Sequence, residues 1–290
     1  MTRVSAAALA LAATVTASAC AGVTGGSNDG RLSVVAALYP LSFVVERVGG
    51  GRVQVTDLTP VGAEPHDLEL SPTQVATLND ADLVVYLGSG FQPAVEDAVE
   101  SLDGARKLDA LSRLPVIETD GRADPHVWLS PPLLAEMADS VAGRLGDIDP
   151  KEASAYRRRA KRLRTGLARL DSGFKEALTS CERRDIVVSH EAFGYLAQRY
   201  DLHQIGIAGI DPESEPLPAR LGEVERLVDE RGITTVFYER LGSPAVAQTI
   251  ARATDTETAP LDPIESPPAH GDFFTAMRSN LMELTDALDC

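Results

Sequence analysis

Three histidines and one aspartate lie in predicted loops. His66, His190 and Asp262 follow predicted strands, and His126 lies in a loop that opens a predicted helix. In open parallel sheets, ligands bind beyond the carboxyl ends of the strands. Three imidazoles and a carboxylate suit Zn²⁺, which takes four nitrogen, sulfur or oxygen ligands. Because the spacings of 60, 64 and 72 residues form no local chelating motif, scattered polar loop residues remain the alternative to a metal site.

Two sets of alternating strands and helices would have to position these side chains. In the first set, β-branched runs predict strands at 33–38, 53–58 and 83–87, with helices at 41–48, 72–79 and 93–101. In the second set, strands are predicted at 186–189, 204–207, 234–238 and 259–261, with helices near 191–200, 218–231, 244–254 and 273–288. This alternation predicts an α/β fold of two lobes, each a mostly parallel sheet flanked by helices.

One long helical pattern lies between the two sets. Asp149 and Pro150 are suited to the N-cap and the first helical position, and Glu152 to the acid of a capping box. A helix of about thirty residues would be roughly 45 Å long. We predict that residues 148–180 form a linking helix between an N-terminal lobe, 32–147, and a C-terminal lobe, 181–290. A coiled-coil segment is the alternative.

The N-terminal residues have the features of an export signal. Residues 1–19 combine a basic start with an uncharged run that is too short and too weakly apolar to span a membrane. Cys20 directly follows small residues, which predicts a lipidated cysteine, and the Gly- and Ser-rich segment 20–31 predicts a flexible tether. An ordinary signal with an incidental cysteine is the alternative.

Charge and cysteine content narrow the class of protein. A formal net charge of −16 at pH 7 argues against nucleic acid as a partner and suits a protein that attracts cations, although acidity also serves solubility. Because export implies an oxidising compartment, Cys181 and Cys290 are candidates for a disulfide. The sequence leaves that bond open.

Several short motifs occur in a recognisable order along residues 33–288. They include Glu-Pro-His-Asp-Leu-Glu at 64–69, Asp-Pro-His-Val-Trp-Leu at 124–129, His-Glu-Ala-Phe-Gly-Tyr-Leu at 190–196 and Leu-Asp-Pro at 261–263. With them the chain resembles the zinc- and manganese-type solute-binding proteins of bacterial ABC importers. The resemblance implies two α/β lobes joined by one long helix. It also implies two metal ligands from each lobe, His66 and His126 from the first, and His190 and Asp262 from the second.

The same resemblance implies a function. We expect a monomeric extracytoplasmic receptor, anchored to the cell membrane through Cys20, that captures a metal and delivers it to an ABC permease. His190 stands where manganese-type relatives commonly have Glu, and imidazole favours Zn²⁺, so Zn²⁺ is the expected metal, with Mn²⁺ or Fe²⁺ as alternatives. Glu239 is predicted to hold a ligand imidazole by its free N–H, a solvent-facing carboxylate being the alternative. His203 is expected at the surface, and His270 is a candidate accessory ligand.

Two rival functions come from other classes of protein. A zinc-dependent hydrolase would use the same side chains with one open coordination position. No His-Glu-x-x-His motif occurs in the sequence. A closed shell of three His and one Asp also leaves no vacant coordination position for a reactive water. We therefore predict that the chain is not an enzyme. A surface adhesin is the second rival, although no sequence feature supports it.

Overall fold

Two four-stranded parallel sheets organise the chain in the computed structural model, which describes residues 30–119, 121–212 and 214–290. The first sheet has the order β2-β1-β3-β4 and consists of β1 (Leu32–Ala36), β2 (Val53–Asp57), β3 (Leu83–Tyr86) and β4 (Lys107–Asp109). The middle strands β1 and β3 are mostly apolar, and Val34, Val35 and Ala36 are fully buried. This is typical of parallel strands covered on both faces.

A short antiparallel hairpin precedes the second sheet. It pairs β5 (Glu118–Thr119) with β6 (Arg122–Ala123) just before His126. The second sheet has the order β10-β9-β7-β8 and consists of β7 (Asp185–Val188), β8 (His203–Gly206), β9 (Thr235–Tyr238) and β10 (Glu257–Pro260). The predicted strands are therefore present to within about two residues, whereas β4 and the hairpin were not predicted because they are too short to show an apolar pattern.

Helices cover both sheets. Those of the first lobe are α1 (Tyr39–Gly49), α2 (Pro72–Asp80), α3 (Pro93–Glu100) and α4 (Pro131–Ile148). The chain then continues through α5 (Ala153–Leu178), α6 (Gly194–Tyr200), α7 (Pro218–Arg231), α8 (Ala245–Thr254) and α9 (Phe273–Leu288). The predicted fold class, two α/β lobes joined by one long helix, is confirmed.

Helix α5 is shorter than the sequence predicts. Its 26 residues begin at Ala153, which gives a length of about 39 Å. The backbone N–H of Asp149 donates to the carbonyl of Leu145, so Asp149 ends α4 instead of beginning α5. Glu152 occupies the N-cap position, and its side chain makes no capping hydrogen bond with the described residues. The predicted capping box is therefore wrong, because a turn at 149–152 separates two helices.

One face of α5 is buried against helices from both lobes. Helix α5 packs on α1 and α4 of the first lobe and on α6 and α9 of the second. Tyr156, Leu167 and Phe174 are among the side chains that it buries. The exact bounds 32–147, 148–180 and 181–290 stay a prediction, since residues 31–290 form one compact unit.

A disulfide joins Cys181 to Cys290, so the candidate bond is present in the structure. It ties the chain just after α5 to the residue that follows α9, across 109 residues of sequence. Within the described ranges, no helix is both long and apolar enough to cross a membrane. The predicted signal peptide, lipidated Cys20 and all but the last two residues of the tether lie outside the described residues.

Candidate metal centre

Four side chains from four separate loops meet between the lobes: His66, His126, His190 and Glu265. One donor atom from each lies within 4.8 Å of all the others. Oε1 of Glu265 is 3.2 Å from Nε2 of His126, 3.4 Å from Nε2 of His66 and 3.9 Å from Nε2 of His190. This group, here called the His₃Glu group, has the ligand types and the compactness that a tetrahedral zinc site requires.

Strand and helix ends place the three histidines. His66 lies in the loop between β2 and α2, and His190 lies two residues beyond β7. His126 directly precedes the short 3₁₀ turn Val127–Leu129 that leads into α4. Their imidazole rings lie 5.2 to 5.7 Å apart, centroid to centroid. The structure thus brings together all three histidines that the sequence singles out.

Asp262 does not belong to the His₃Glu group, and the prediction that it supplies the fourth donor needs correction. Its Oδ1 accepts a hydrogen bond of 2.7 Å from the backbone N–H of Ile264, and its Oδ2 lies 4.0 Å from Nε of Arg240. The carboxylate is used in a turn of its own loop, and the next acid along the chain, Glu265, enters the group. Glu265 is only 1% exposed.

His126 is held by a neighbour that sequence reasoning missed. Asp124 accepts from the backbone N–H of His126 at 2.9 Å, and its Oδ1 lies 2.8 Å from Nδ1 of the same ring. A carboxylate at Nδ1 leaves Nε2 free to face the centre of the group. The signal was available, because an acid two residues before a ligand histidine can bond back to it.

Opposing effects act on the charge of His126. Burial lowers its pKa, but the hydrogen bonds to Asp124 and Glu265 outweigh burial and raise the pKa to about 9. Burial likewise works against the ionised form of Glu265, but the hydrogen bond to His126 and the close approach of His66 hold the pKa of Glu265 well below its usual range. Both shifts favour an imidazolium–carboxylate pair between His126 and Glu265 at neutral pH.

His190 is oriented in the same way as His126. Its Nδ1 lies 2.7 Å from Oε1 of Glu239, and its Nε2 lies 3.4 Å from Nε2 of His126. Glu239 is thus placed where the predicted contact with a ligand imidazole requires it. That this contact supports metal binding stays a prediction.

His66 carries a buried nitrogen that is left unsatisfied. Its Nε2 makes no hydrogen bond of good geometry among the described residues, although it lies 3.4 Å from Glu265. Burial lowers the pKa of His66, partly opposed by the Glu265 carboxylate, and a lowered pKa favours the neutral ring that a metal ligand requires. Buried polar atoms are rarely left without a partner, and a bound cation would supply one.

A cavity of about 370 Å³ connects His190 with the surface. Carboxylates line it, here called the acidic mouth: Glu64, Glu215 and Glu239. Burial, together with the nearby charge of Glu265, raises the pKa of Glu64 to about 7. His203 and His270, by contrast, are exposed and lie outside the His₃Glu group, so the structure does not support His270 as an accessory ligand.

Comparison with known proteins assigns the family. Residues 34–287 match the family described as ZnuA, zinc-uptake complex component A, periplasmic. The chain belongs to this family. The zinc-binding lipoprotein AdcA of Streptococcus pneumoniae is 29% identical over 283 residues, which are 90% of this chain and 56% of that protein. The chain thus spans little more than half the length of AdcA. The high-affinity zinc uptake system protein ZnuA of Bacillus subtilis is 28% identical over 290 residues, which are 91% of this chain and 91% of that protein.

Solved structures of related proteins have the same fold. The laminin binding protein Lmb of Streptococcus agalactiae superposes with a TM-score of 0.84 at 32% identity, covering 89% of this chain and 99% of that one. The Zn(II)-bound ZnuA-like domain of Streptococcus pneumoniae AdcA gives a TM-score of 0.79 at 30% identity, covering 90% and 100%. The expected resemblance is confirmed, as is the prediction that the chain is not an enzyme, since the family is one of zinc-uptake components.

Proposed function

We propose that this protein is an extracytoplasmic zinc receptor that captures Zn²⁺ in the His₃Glu group and delivers it to the permease of an ABC importer. The observation that carries the proposal is a buried cluster of three imidazoles and one carboxylate in a chain of the zinc-uptake family. A four-donor shell fills the tetrahedral coordination that Zn²⁺ prefers and leaves no vacant position for a reactive water.

The donor set favours zinc over the alternatives. Imidazole nitrogen suits Zn²⁺, whereas Mn²⁺ is better served by additional oxygen ligands. A site of this composition binds Zn²⁺ more tightly than Mn²⁺ or Fe²⁺ by the Irving–Williams order. The relatives named as zinc-binding support the same choice.

Location and partners follow from the family and the N-terminal sequence. The family description places its members in the periplasm as parts of an uptake complex, which supports a permease as the partner. We further propose a monomer anchored by a lipid on Cys20. The Lmb structure is described as a bifunctional protein with adhesin and metal transporting activity. We do not propose an adhesin activity for this chain, because the His₃Glu group supports metal binding and does not indicate that a host protein binds.

Zinc affinity of single-histidine variants tests the proposal. We expect His126→Ala to weaken zinc binding by more than about 100-fold in chelator competition, because changes that only disturb ligand orientation already cost about 10- to 100-fold. His203→Ala is the matched control, since this ring is exposed and its removal should leave the affinity unchanged. Native mass spectrometry with equimolar Zn²⁺, Mn²⁺ and Fe²⁺ should show one zinc per chain. Unchanged zinc affinity in His126→Ala would rule the proposal out.

A further inference from the structure

The loop between β10 and α9 is fastened at Asp262 by a buried asparagine. The backbone N–H of Asp262 donates to Oδ1 of Asn280 at 3.0 Å, and Nδ2 of Asn280 donates to the carbonyl of Asp262 at 2.7 Å. Asn280 lies on α9 and is only 2% exposed. A buried amide that satisfies both backbone groups of one residue fixes the position and orientation of that residue.

From this fixed point the chain makes a turn of unusual conformation. The Asp262 side chain accepts from the backbone N–H two residues later, which is an Asx turn. Ile264, which follows Pro263, has a φ of 60° and is fully buried. A β-branched residue rarely adopts this left-handed conformation, and only a well-determined environment keeps it there. The indole N–H of Trp128, from the first lobe, also holds the loop by donating to the carbonyl of Pro263 at 2.7 Å.

Glu265 is the residue that leaves this turn, and its side chain enters the His₃Glu group. If the hydrogen bond from Ile264 to Asp262 were lost, the left-handed residue would relax towards negative φ. A large change of φ at Ile264 redirects the side chain of the next residue. The direction of Glu265 therefore depends on the Asp262 carboxylate, although that carboxylate belongs to no donor group.

We infer that Asp262, fastened by Asn280, is a positioning residue that sets zinc affinity by aiming Glu265 at the metal. The inference rests on the proposed function, because it requires Glu265 to be a zinc ligand. The competing explanation is that Asp262 only stabilises the fold, for example through its approach to Arg240.

Zinc affinities of a set of variants separate these explanations. Asp262→Ala removes the acceptor of the turn and should weaken zinc binding by about 10- to 100-fold, the usual effect of disturbing ligand orientation. Asp262→Asn keeps an acceptor oxygen and should restore affinity to within a few-fold of wild type. In a Glu265→Gln background, Asp262→Ala should add no further loss, because residues that act through one contact are not additive. Cobalt-substituted Asp262→Ala should show the visible absorption spectrum of cobalt-substituted Glu265→Gln.

The outcomes are distinguishable. Wild-type zinc affinity in Glu265→Gln would refute the ligand set itself. A loss in Glu265→Gln combined with wild-type affinity in Asp262→Ala, or with losses that simply add in the double variant, would overturn the positioning role alone. Should Asp262→Ala not fold, Asp262→Ser is the substitute, because its shorter hydroxyl forms a weaker turn. Its zinc affinity should fall several-fold below that of Asp262→Asn, and equal affinities would also overturn the inference.

Discussion

The imidazole of His126 and the carboxylate of Glu265 lie 3.2 Å apart inside the His₃Glu group. Asp124 on the other side of the ring strengthens the positive charge, and together the two carboxylates raise the pKa of His126 to about 9 against the effect of burial. The protonated ring of His126 thus places a positive charge inside the His₃Glu group, where a metal ion would place its own. Zinc binding must exchange one for the other, because a metal ligand needs a free lone pair.

Zinc binding at pH 7 should therefore release about one proton from His126. A further fraction should come from Glu64, whose pKa is raised to about 7 mainly by burial. Because the His126 pKa is raised, release should be complete well below pH 9 and vanish as the pH rises through 9. Calorimetric zinc titrations at one pH, in buffers of different ionisation enthalpy, measure the number of protons.

Asp124→Asn is the matched variant for this proton. It removes one of the two carboxylates that raise the His126 pKa, so the variant should release less than the wild-type protein at pH 7. A binding enthalpy that does not depend on the buffer would contradict the expectation.

Strand-end positions indicate His66, His190 and Glu239, because the fold class dictates where parallel strands terminate, whereas His126 and the ligand set as a whole rest on the resemblance to the family. Strand-end positions were not enough to predict Glu265. Its direction depends on an Asx turn, on Asn280 and on Trp128, which lies more than 130 residues away in sequence. Such a tertiary arrangement has no local pattern, so the sequence predicts Asp262, the acid nearest the strand end, instead.

Among the elements, α5 is the helix that packs on helices of both lobes, α1 and α4 in the first and α6 and α9 in the second. Phe174 is fully buried and stacks on Tyr200 of α6, with ring centroids 5.0 Å apart. One turn earlier, Asp171 accepts two hydrogen bonds of 2.8 Å from Arg199 and one of 3.2 Å from Tyr200. The same apolar stripe that predicts the helix from sequence therefore also attaches it to the second lobe.

Phe174→Ala should lower the free energy of unfolding by about 3–5 kcal/mol, because it removes a buried aromatic ring and leaves a cavity. Denaturant unfolding of the zinc-free protein measures the change. Arg162→Ala, at an exposed position of the same helix, is the control and should change stability by less than about 0.5 kcal/mol. Equal stabilities of the two variants would show that the contact between α5 and α6 is unimportant.

The start of α5 is where the structure differs most from the prediction made from the sequence. Asp149 and Pro150 carry the chemistry of a helix start, yet Asp149 is the C-cap of α4. Arg52 lies 3.7 Å from both Asp149 and Glu152, so both acids face a distant part of the chain. Propensity alone could not distinguish a helix start from a turn between two helices, since the same residue types serve both.

For the whole molecule, the lobes meet around the His₃Glu group through contacts that cross the cleft. Tyr195 of the second lobe donates from its hydroxyl to the carbonyl of Asp124 at 3.0 Å and accepts from the N–H of Ile117 at 2.9 Å. The N–H of Gly62 donates to Oγ of Ser266 at 3.0 Å. The segment that carries His126 is thus hydrogen-bonded to the second lobe. The loop that carries Glu265 is hydrogen-bonded to the first lobe.

The proposed lipid anchor on Cys20 would attach the whole protein to the membrane. We expect Cys20→Ser to move the protein from the membrane fraction to the soluble extracytoplasmic fraction of cells, because the proposed anchor is a set of acyl chains on that sulfur. Fractionation followed by immunoblotting measures the distribution. Cys181→Ser is the control, since its sulfur is joined to Cys290 and is unavailable for a lipid. If Cys20→Ser stays with the membrane, the anchor is elsewhere.

The acidic mouth affects the rate at which a metal ion reaches the site, separately from how tightly the site holds it. Carboxylates that line an opening raise the local concentration of divalent cations and so accelerate their arrival. This attraction reaches only about 8 Å at physiological ionic strength and less in saltier surroundings. The donor atoms inside are in direct contact distance and shielded from solvent, so added salt hardly weakens them. External salinity would therefore govern how fast the protein fills, with much less effect on how fast the bound metal leaves.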